Sequence, residues 1–406
     1  MTMQRRTLLK TLGGGATALA MPGLALSQTR PIKIGDLTDY TGLYRDTNGP
    51  GEELSIRMAI QDFNGGKVLG RPIELIVGDN LNKADVATDI TKRWIEVDKV
   101  DMMVCGGSSV AALAAQAVAR EKSVITCMPA ATAINFTEQD CSPYGFHWSV
   151  DSYGYPRSAV LASGDNAKKK WFFISIDNVV GQTGNAVCSA AIQEAGGQVV
   201  GQVKHPINTT DYASFIAQAQ ASGADVVVFL SSGTDLIRAL TQAREFGLQA
   251  AGKTIVAPIL TYTDILAAGL EVTQGMRFAE GFYWNANDAT RAFAKRFQEK
   301  MGRAPGASNG NVYAAVTHYL QAVQAAKTTD GKAVAAQMKK QPITTRFWSN
   351  GAPTIRPNGR VVYDLNVMRI KSPAQSTGKF DVAEVVGTLP GAKVFKPLSE
   401  TLCKLV

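Results

Sequence analysis

The sequence predicts an α/β protein of two Rossmann-like lobes, each with a mostly parallel sheet covered by helices. Three observations lead to this prediction. The chain has 406 residues, more than a single hydrophobic core usually organises. From residue 31 onward, short β-rich runs alternate with longer helical patterns. This alternation starts afresh after Ser149, which predicts the second lobe.

The first series contains four predicted strands and three predicted helices. In the helix over residues 52–63, the spacing between apolar residues varies and includes the helical intervals of three and four residues. The helix ends at the glycine pair 65–66. The strands cover residues 32–37, 73–78, 100–105 and 124–128, and the other helices cover residues 84–97 and 110–121.

The second series repeats the strand and helix alternation. Its strands cover residues 171–176, 198–203, 226–230 and 254–257, with helices over 183–195, 211–221 and 234–246. Further helices are predicted over 288–301, 311–326 and 330–340, followed by a β-rich tail from residue 353 that Pro and Gly interrupt. These later elements must return to one lobe or the other.

Residues 1–28 have the pattern of an export signal. Arg5, Arg6 and Lys10 precede an apolar run of Gly, Ala and Leu, and small residues before Gln28 predict cleavage near Ser27. The paired arginines resemble the twin-arginine signature, which directs export of folded proteins. An ordinary Sec signal is the alternative, and either route predicts a periplasmic protein.

Charge and hydropathy argue against nucleic acid and membrane as partners. Removing residues 1–28 takes away three positive charges and no negative ones, which lowers the formal charge from +8 to +5. The remaining charges are dispersed, so we expect them to serve solubility. After residue 28, no uncharged apolar run approaches the roughly 20 residues that span a bilayer.

The five cysteines, at positions 105, 127, 141, 188 and 403, include no CxxC pair and no metal-ligand spacing. The sequence therefore predicts no zinc site, no thioredoxin-like motif and no cofactor. Cys141 and Cys403 are the expected disulfide pair, because each has a loop-like setting beside a proline or a terminus. Spacing alone does not fix this connectivity.

Catalytic motifs are absent from the sequence. His147, His205 and His318 are the only histidines, and they are far apart. No GxSxG elbow, P-loop or strand-following GxGxxG lies outside the signal. We therefore predict a binding protein and not an enzyme. An exported α/β enzyme and a ligand sensor of the same fold are the alternatives from other classes.

Several strings, in order and spacing, resemble the leucine/isoleucine/valine-binding protein family. They are IKIG at 32–35 with Thr41-Gly42, IQDFNGG at 60–66, VGDN at 77–80 and QAREFGL at 242–248. The members of this family are type I periplasmic binding proteins of ABC importers. The resemblance covers essentially the whole mature chain.

The resemblance implies a three-crossing hinge between the lobes, near residues 149–152, 281–285 and 345–358. Lobe I would then comprise residues 29–150 plus 285–345, and lobe II residues 151–284 plus 346–406. Such lobes close on a ligand by hinge rotation. It also implies an ABC permease and ATPase complex in the inner membrane as partners.

Two loops carry the predicted ligand site. Residues 105–109 and 129–132 each follow a strand at the end of a parallel sheet where helix N-termini attract anions. In the resembled family, a serine in the first loop and Ala-x-Thr in the second hold the carboxylate of the ligand. That 23-residue separation falls here between Ser109 and Thr132, with Ala130 supplying backbone. Alternatively, Ser109 only caps a helix and Thr132 only forms a turn.

Two departures from the family argue against an amino-acid ligand. The glutamate that would pair with an α-ammonium group is replaced by Ile259, and a tyrosine expected before Gly181 is replaced by Val180. The sequence therefore favours a small acid without an amine, aromatic or aliphatic. Asp264 is the alternative acidic partner.

Further candidates come from the same loops and from the crossings. Phe282, Tyr283 and Trp284, near the second crossing, are expected to pack the hinge and not to bind ligand. The other candidate ligand residues are Ser108, Ala131, Tyr44, Tyr153, Tyr155, Gly181, Gln182, Ser232, Leu260 and Tyr262.

Overall fold

The structure is a computed structural model and describes residues 30–42, 44–348 and 350–406. The predicted export signal lies outside these residues. No helix among them is long and apolar enough to cross a bilayer.

The first sheet has six strands in the order β2-β3-β1-β4-β5-β6, and only β2 pairs in the antiparallel sense. Every residue of the short strands β4 and β5 is buried, as in parallel sheets that helices cover on both faces. The strands are β1 (Ile32–Thr38), β2 (Lys67–Val68), β3 (Arg71–Asp79), β4 (Met102–Cys105), β5 (Ile125–Met128) and β6 (Gly145–His147). The helices are α1 (Gly49–Asp62), α2 (Ala84–Arg93) and α3 (Ser109–Glu121).

The second sheet has four parallel strands in the order β10-β9-β7-β8. Its strands are β7 (Lys170–Ile176), β8 (Gln198–His205), β9 (Val226–Leu230) and β10 (Thr254–Val256). The helices are α4 (Gly154–Ala162), α5 (Val179–Glu194), α6 (Ala213–Ala221), α7 (Gly233–Glu245), α8 (Tyr262–Ala268) and α9 (Leu270–Thr273). The two sheets confirm the predicted α/β architecture.

The rest of the chain adds to both sheets. Helix α11 packs against α1 beside the first sheet, and α12 packs against α11. An antiparallel sheet, β11-β14-β15, brings the β-rich tail back beside α4. The bounds are β11 (Arg277–Glu280), α10 (Asp288–Met301), α11 (Ala307–Ala326), α12 (Gly331–Lys340), β12 (Thr354–Ile355), β13 (Val361–Val362), β14 (Leu365–Ile370), β15 (Ala383–Leu389) and α13 (Gly391–Val394).

The C-terminal tail ends on the first sheet. Cys403 is disulfide-bonded to Cys141, which lies between β5 and β6, and this is the pairing that the sequence predicted. Lys396 forms an ion pair with Glu138 at 2.8 Å, and the backbone N–H of Leu402 donates to the same carboxylate at 2.8 Å. The tail that follows β15 is therefore bonded to the loop that precedes β6.

Candidate functional site

The two predicted ligand loops are neighbours because β4 pairs with β5. Ser108 is the N-cap of α3, and its hydroxyl accepts a hydrogen bond from the backbone N–H of Ala111 at 3.2 Å. Gly107 has a φ of +74°, and a Cβ there would lie 3.1 Å from the Cβ of Tyr44. The glycine thus permits the turn into α3 and brings the half-buried Tyr44 against the first loop.

Ser109 joins the two loops directly. Its Oγ accepts hydrogen bonds from the backbone N–H groups of Thr132 and Ala133, both at 3.1 Å. The interpretation of Ser109 as the helix cap is therefore wrong, since Ser108 has that role. Among the described residues, no group accepts the Ser109 hydroxyl proton and no hydrogen bond involves the exposed hydroxyl of Thr132. Both hydroxyls remain available as donors.

The second loop is fixed from behind by the segment that leads from β6 to α4. The carbonyl oxygen of the buried Ala131 accepts from the Ser149 hydroxyl at 2.6 Å and from Nε2 of His147 at 2.7 Å. The carbonyl oxygen of Thr132 accepts from the backbone N–H of Ser152 at 2.8 Å. Residues 131 and 132 are thus bonded to the segment that leads from β6 to α4, while Ala130 stays half-exposed at the start of the loop.

A buried arginine holds that segment in place. Nη1 of Arg360 donates to Oδ2 of Asp151 at 2.9 Å and to Nδ1 of His147 at 3.1 Å. Its Nη2 donates to the carbonyl oxygens of His147, at 2.6 Å, and of Ser149. Burial and the guanidinium hold the pKa of His147 well below its usual value, so the imidazole is neutral and donates from Nε2.

Two buried carboxyl groups lie beneath the first loop. Burial raises the pKa of Asp36 to about 7, and burial followed by the charge of Asp36 raises the pKa of Glu52 well above its usual value. Tyr40 donates to Asp36 at 2.8 Å. A Cβ at Gly106 would overlap the Glu52 carboxyl, so this position needs glycine. At neutral pH the pair therefore retains at least one proton and carries at most one negative charge beneath the loop.

The second sheet presents an apolar face at the carboxyl end of β7. Val179 and Val180 are 75% and 51% exposed in the first turn of α5. Gly181 is buried there, and a Cβ would overlap the carbonyl oxygen of Ile176, while Gln182 is exposed. Ser232, the exposed N-cap of α7 at the end of β9, makes no side-chain capping bond.

Other candidates lie deeper in the second lobe. Leu260 and Tyr262 are buried in its core, and the Tyr262 hydroxyl donates to the carbonyl oxygen of Phe380 at 3.2 Å. Oδ2 of Asp264 accepts from the backbone N–H of Thr261 at 2.9 Å and from its hydroxyl at 2.6 Å, which closes a capping box on α8. Ile259 is half-buried in the loop before them.

The aromatic candidates near the crossings fall into two groups. Tyr153 is half-buried beneath the guanidinium of Arg157, with 6.0 Å from Cζ to the ring centre. Tyr155 also lies in this region and packs on the large core. Phe282 and Tyr283 are buried in two different core clusters, and Trp284 packs against both.

Sequence reasoning missed Arg360, Asp151 and Glu52. The tail around Arg360 shows only an Asn-Gly turn, and its partner His147 lies 213 residues away. Among the described residues, no group of three His, Cys, Asp or Glu side chains has a geometry that could hold a metal ion.

Comparisons with known proteins assign the chain to a family. The family model described as "Periplasmic binding protein" matches residues 31–379. The chain belongs to this family. Its relatives include periplasmic ligand-binding proteins of ABC transporters.

Individual relatives agree with the family assignment. A branched chain amino acid ABC transporter periplasmic ligand-binding protein of Burkholderia xenovorans is 36% identical, with a TM-score of 0.87, over 92% of this chain and 99% of that one. The Leu/Ile/Val-binding protein homolog 7 of Brucella abortus is 26% identical over 78% of this chain and 82% of its own length. A solute-binding protein of R. palustris in complex with benzoate shares the fold at 19% identity and a TM-score of 0.74, over 92% and 99% of the two chains.

Proposed function

We propose that this member of the periplasmic binding protein family is the exported receptor of an ABC importer and that it binds a small organic acid without an amine. The observation that carries the proposal is the bonding of Ser109. Its oxygen already accepts two backbone N–H groups, so its proton is free to donate to a carboxylate.

Three kinds of donor converge on this position. Besides the Ser109 hydroxyl, the exposed hydroxyl of Thr132 is unbonded within the described residues. The third donor is the N-terminus of the 13-residue helix α3, where the positive end of the helix dipole lies. The Ser108 side chain caps only the N–H of Ala111 there. Hydrogen bonds to a charged group are stronger than those between neutral groups, which suits a carboxylate anchor.

The second sheet has apolar side chains at its strand ends that suit the body of such a ligand. Val179 and Val180 expose their side chains at the start of α5, and Ile259 stands where an ammonium partner would be expected. Asp264 is engaged by Thr261 in the cap of α8. An acid with an aromatic or aliphatic body fits these surfaces without leaving an ammonium group unpaired.

A branched-chain or other amino acid is the alternative ligand, because the Burkholderia relative at 36% identity is the periplasmic ligand-binding protein of a branched chain amino acid ABC transporter. Binding without chemistry is supported by the histidines. His205 is bonded to Ser231 at 2.7 Å, and His318 to the carbonyl oxygen of Met338 at 2.9 Å. Each is buried and serves local structure.

The experiment compares two ligand panels by thermal shift and titration calorimetry on the mature protein. Amine-free acids, including benzoates, phenylacetates, cinnamates and short aliphatic acids, are expected to raise the melting temperature, whereas α-amino acids are not. Ser109→Ala and Thr132→Ala are each expected to weaken binding about ten- to hundredfold, the cost of a hydrogen bond to a charged group.

Ser214→Ala is the matched control, because Ser214 is exposed on α6 and distant in the fold from these loops. It should bind like the wild type. The proposal would be contradicted if only amino acids bind. It would also be contradicted if Ser109→Ala and Thr132→Ala both bind amine-free acids as tightly as the wild type does.

A further inference from the structure

The buried face of β1 carries a carboxyl group. Ile32, Ile34 and Asp36 occupy alternate positions, so all three lie on one face of the strand. The two isoleucines belong to the same core cluster as Ile56 of α1. Asp36 is 0% exposed, and so is Glu52 in the first turn of α1. Burying two acids in an apolar layer is costly unless each is neutralised or paired.

Within the described part of the chain, neither carboxyl group pairs with a cation. Asp36 accepts from the Tyr40 hydroxyl at 2.8 Å, and Glu52 accepts from the Thr38 hydroxyl at 3.4 Å. Oδ1 of Asp36 and Oε1 of Glu52 are fully enclosed and receive no donor from these residues. The two side chains are hydrogen-bonded to each other, which requires a proton on one of them.

Charged and titratable groups from every neighbouring element surround the pair. They are Asp39 and Tyr40 after β1, Asp79 at the end of β3, Glu53 and Arg57 on α1, Cys105 at the end of β4, and Arg303 beside Gly51. Arg57 pairs with Glu53 at 2.7 Å, and Arg303 donates to the carbonyl oxygen of Ala304 at 3.3 Å. Both cations are engaged away from the pair, so its charge depends on its own protons.

The pair lies directly beneath the first ligand loop. A Cβ at Gly106 would overlap both carboxyl oxygens of Glu52, so the loop passes in contact with this group. The carbonyl oxygen of Gly106 accepts from the backbone N–H of Ser108 at 3.0 Å, and Ser109 follows directly. Three residues span at most about 10 Å, so a carboxylate held by Ser109 lies on the order of 10 Å from Glu52.

We propose that the Asp36 and Glu52 pair binds a proton together with the organic acid, so that the receptor holds its ligand more tightly when the pair is protonated. This rests on the proposed function, because it requires a carboxylate at Ser109 and Thr132, and it names what regulates that site. An ionised pair repels the ligand carboxylate across the loop, whereas a protonated pair does not. The proton comes from solvent and adds to a carboxylate oxygen of the pair, and no other bond changes.

Tyr40 connects the buried pair to solvent. Its hydroxyl donates to Asp36 at 2.8 Å and lies 3.3 Å from Oε2 of Glu53. The side chain of Glu53 is 28% exposed. A single hydroxyl proton can bond to only one of these carboxyl groups at a time, so Tyr40 offers a route for protons between them.

The direction of the effect follows from burial. Burial raises the pKa of Asp36 to about 7, and burial followed by the charge of Asp36 raises the pKa of Glu52 well above its usual value. The pair therefore gains negative charge as the pH rises through about 7. An organic acid with an ordinary pKa of about 4 is already ionised there, so the charge of its carboxylate stays constant. Charges on the order of 10 Å apart interact by about one pKa unit, so affinity should fall about three- to tenfold.

The test measures the calorimetric affinity of the wild type for benzoate between about pH 6 and about pH 8.5. Leucine is the probe if only amino acids bind, because it also carries one carboxylate. Calorimetry near pH 7 in two buffers of different ionisation enthalpy then measures the protons exchanged on binding. A net uptake of a fraction of one proton is expected, together with the fall in affinity towards high pH.

Variants assign the proton to the pair. The double variant Asp36→Asn and Glu52→Gln removes both titrating groups at nearly constant volume, and it should lose the pH dependence and the proton uptake. Tyr40→Phe removes a hydrogen bond that lowers the pKa of Asp36, so the fall in affinity should move to higher pH. Glu74→Gln, at an exposed glutamate on β3, is the control and should keep the wild-type profile.

A second buried carboxyl group titrates in the same range. Burial, and then the charge of Asp264, raises the pKa of Glu280 to about 8. Glu280→Gln should keep the pH dependence of binding, and its loss in this variant would overturn the assignment to Asp36 and Glu52.

The remaining outcomes are equally decisive. Constant wild-type affinity across the range, absence of proton uptake, or a pH dependence that survives in the double variant would overturn the proposal. If the double variant does not fold, the wild-type proton uptake and the Tyr40→Phe profile decide. If binding is independent of pH but Ser109→Ala weakens it, only the proton linkage falls. If no acid of either panel binds, the proposed function falls as well.

Discussion

Replacing Arg360 with methionine is expected to lower the free energy of unfolding by about 3 to 5 kcal/mol. Arg360 and Asp151 are each only 2% exposed and meet at 2.9 Å. Methionine fills much of the same volume, so the loss comes from the charge and not from a cavity. It leaves the Asp151 carboxylate buried without its cation.

The same substitution removes donors from two backbone carbonyl groups. Those of His147 and Ser149 both accept from Nη2 of Arg360. Each buried acceptor that loses its donor adds a desolvation penalty. The effect should also reach the ligand, because Ser149 and His147 bond the Ala131 carbonyl behind the second loop. We therefore expect weaker ligand binding together with the loss of stability.

Urea unfolding, followed by circular dichroism, measures this prediction. Arg369→Met is the matched control, since Arg369 pairs with Glu384 on the surface, where the side chains are 47% and 39% exposed. Exposed pairs contribute about 0 to 1 kcal/mol, so the control should unfold almost like the wild type. Similar losses for the two variants would show that Arg360 does not hold the segment between β6 and α4.

Much of the fold could be predicted from the sequence because its signals are local. Strands β4 and β5 are short apolar runs that parallel sheets bury on both faces, and helices α10 and α12 show clear periodicity. The three residues of β6 are too few to show any period. Helix α5 begins at Val179, four residues before the predicted start, because Asn178 caps it by accepting from the N–H of Gly181 at 3.1 Å.

The site was only partly predictable for the same reason. Ser109 and Thr132 stand at strand ends with a spacing that resembles the family, so their loops could be placed together. The sequence did not show that Ser108 takes the cap and leaves Ser109 to bridge the loops.

Removing the disulfide is expected to lower the free energy of unfolding by about 2 to 5 kcal/mol, mainly because the unfolded chain gains freedom. Cys141 and Cys403 are 262 residues apart, so their bond closes a very long loop. Loop-closure entropy rises only slowly with length, which places the expected cost towards the upper part of this range. The hydrogen bonds of Glu138 with Thr401 and Leu402 should keep the tail near its site in the folded state.

Urea unfolding of the Cys141→Ser and Cys403→Ser double variant, with and without a phosphine reductant, measures this effect. On reduction, the free energy of unfolding of the wild type should fall to that of the double variant. The free energy of unfolding of the double variant should not change. Cys105, Cys127 and Cys188 are fully buried free thiols, and burial raises the pKa of each, so they offer no competing reaction in the folded protein. An unchanged wild type in reductant would mean that the stability comes from the bonds of Glu138. A loss in both proteins would mean that the reductant acts elsewhere.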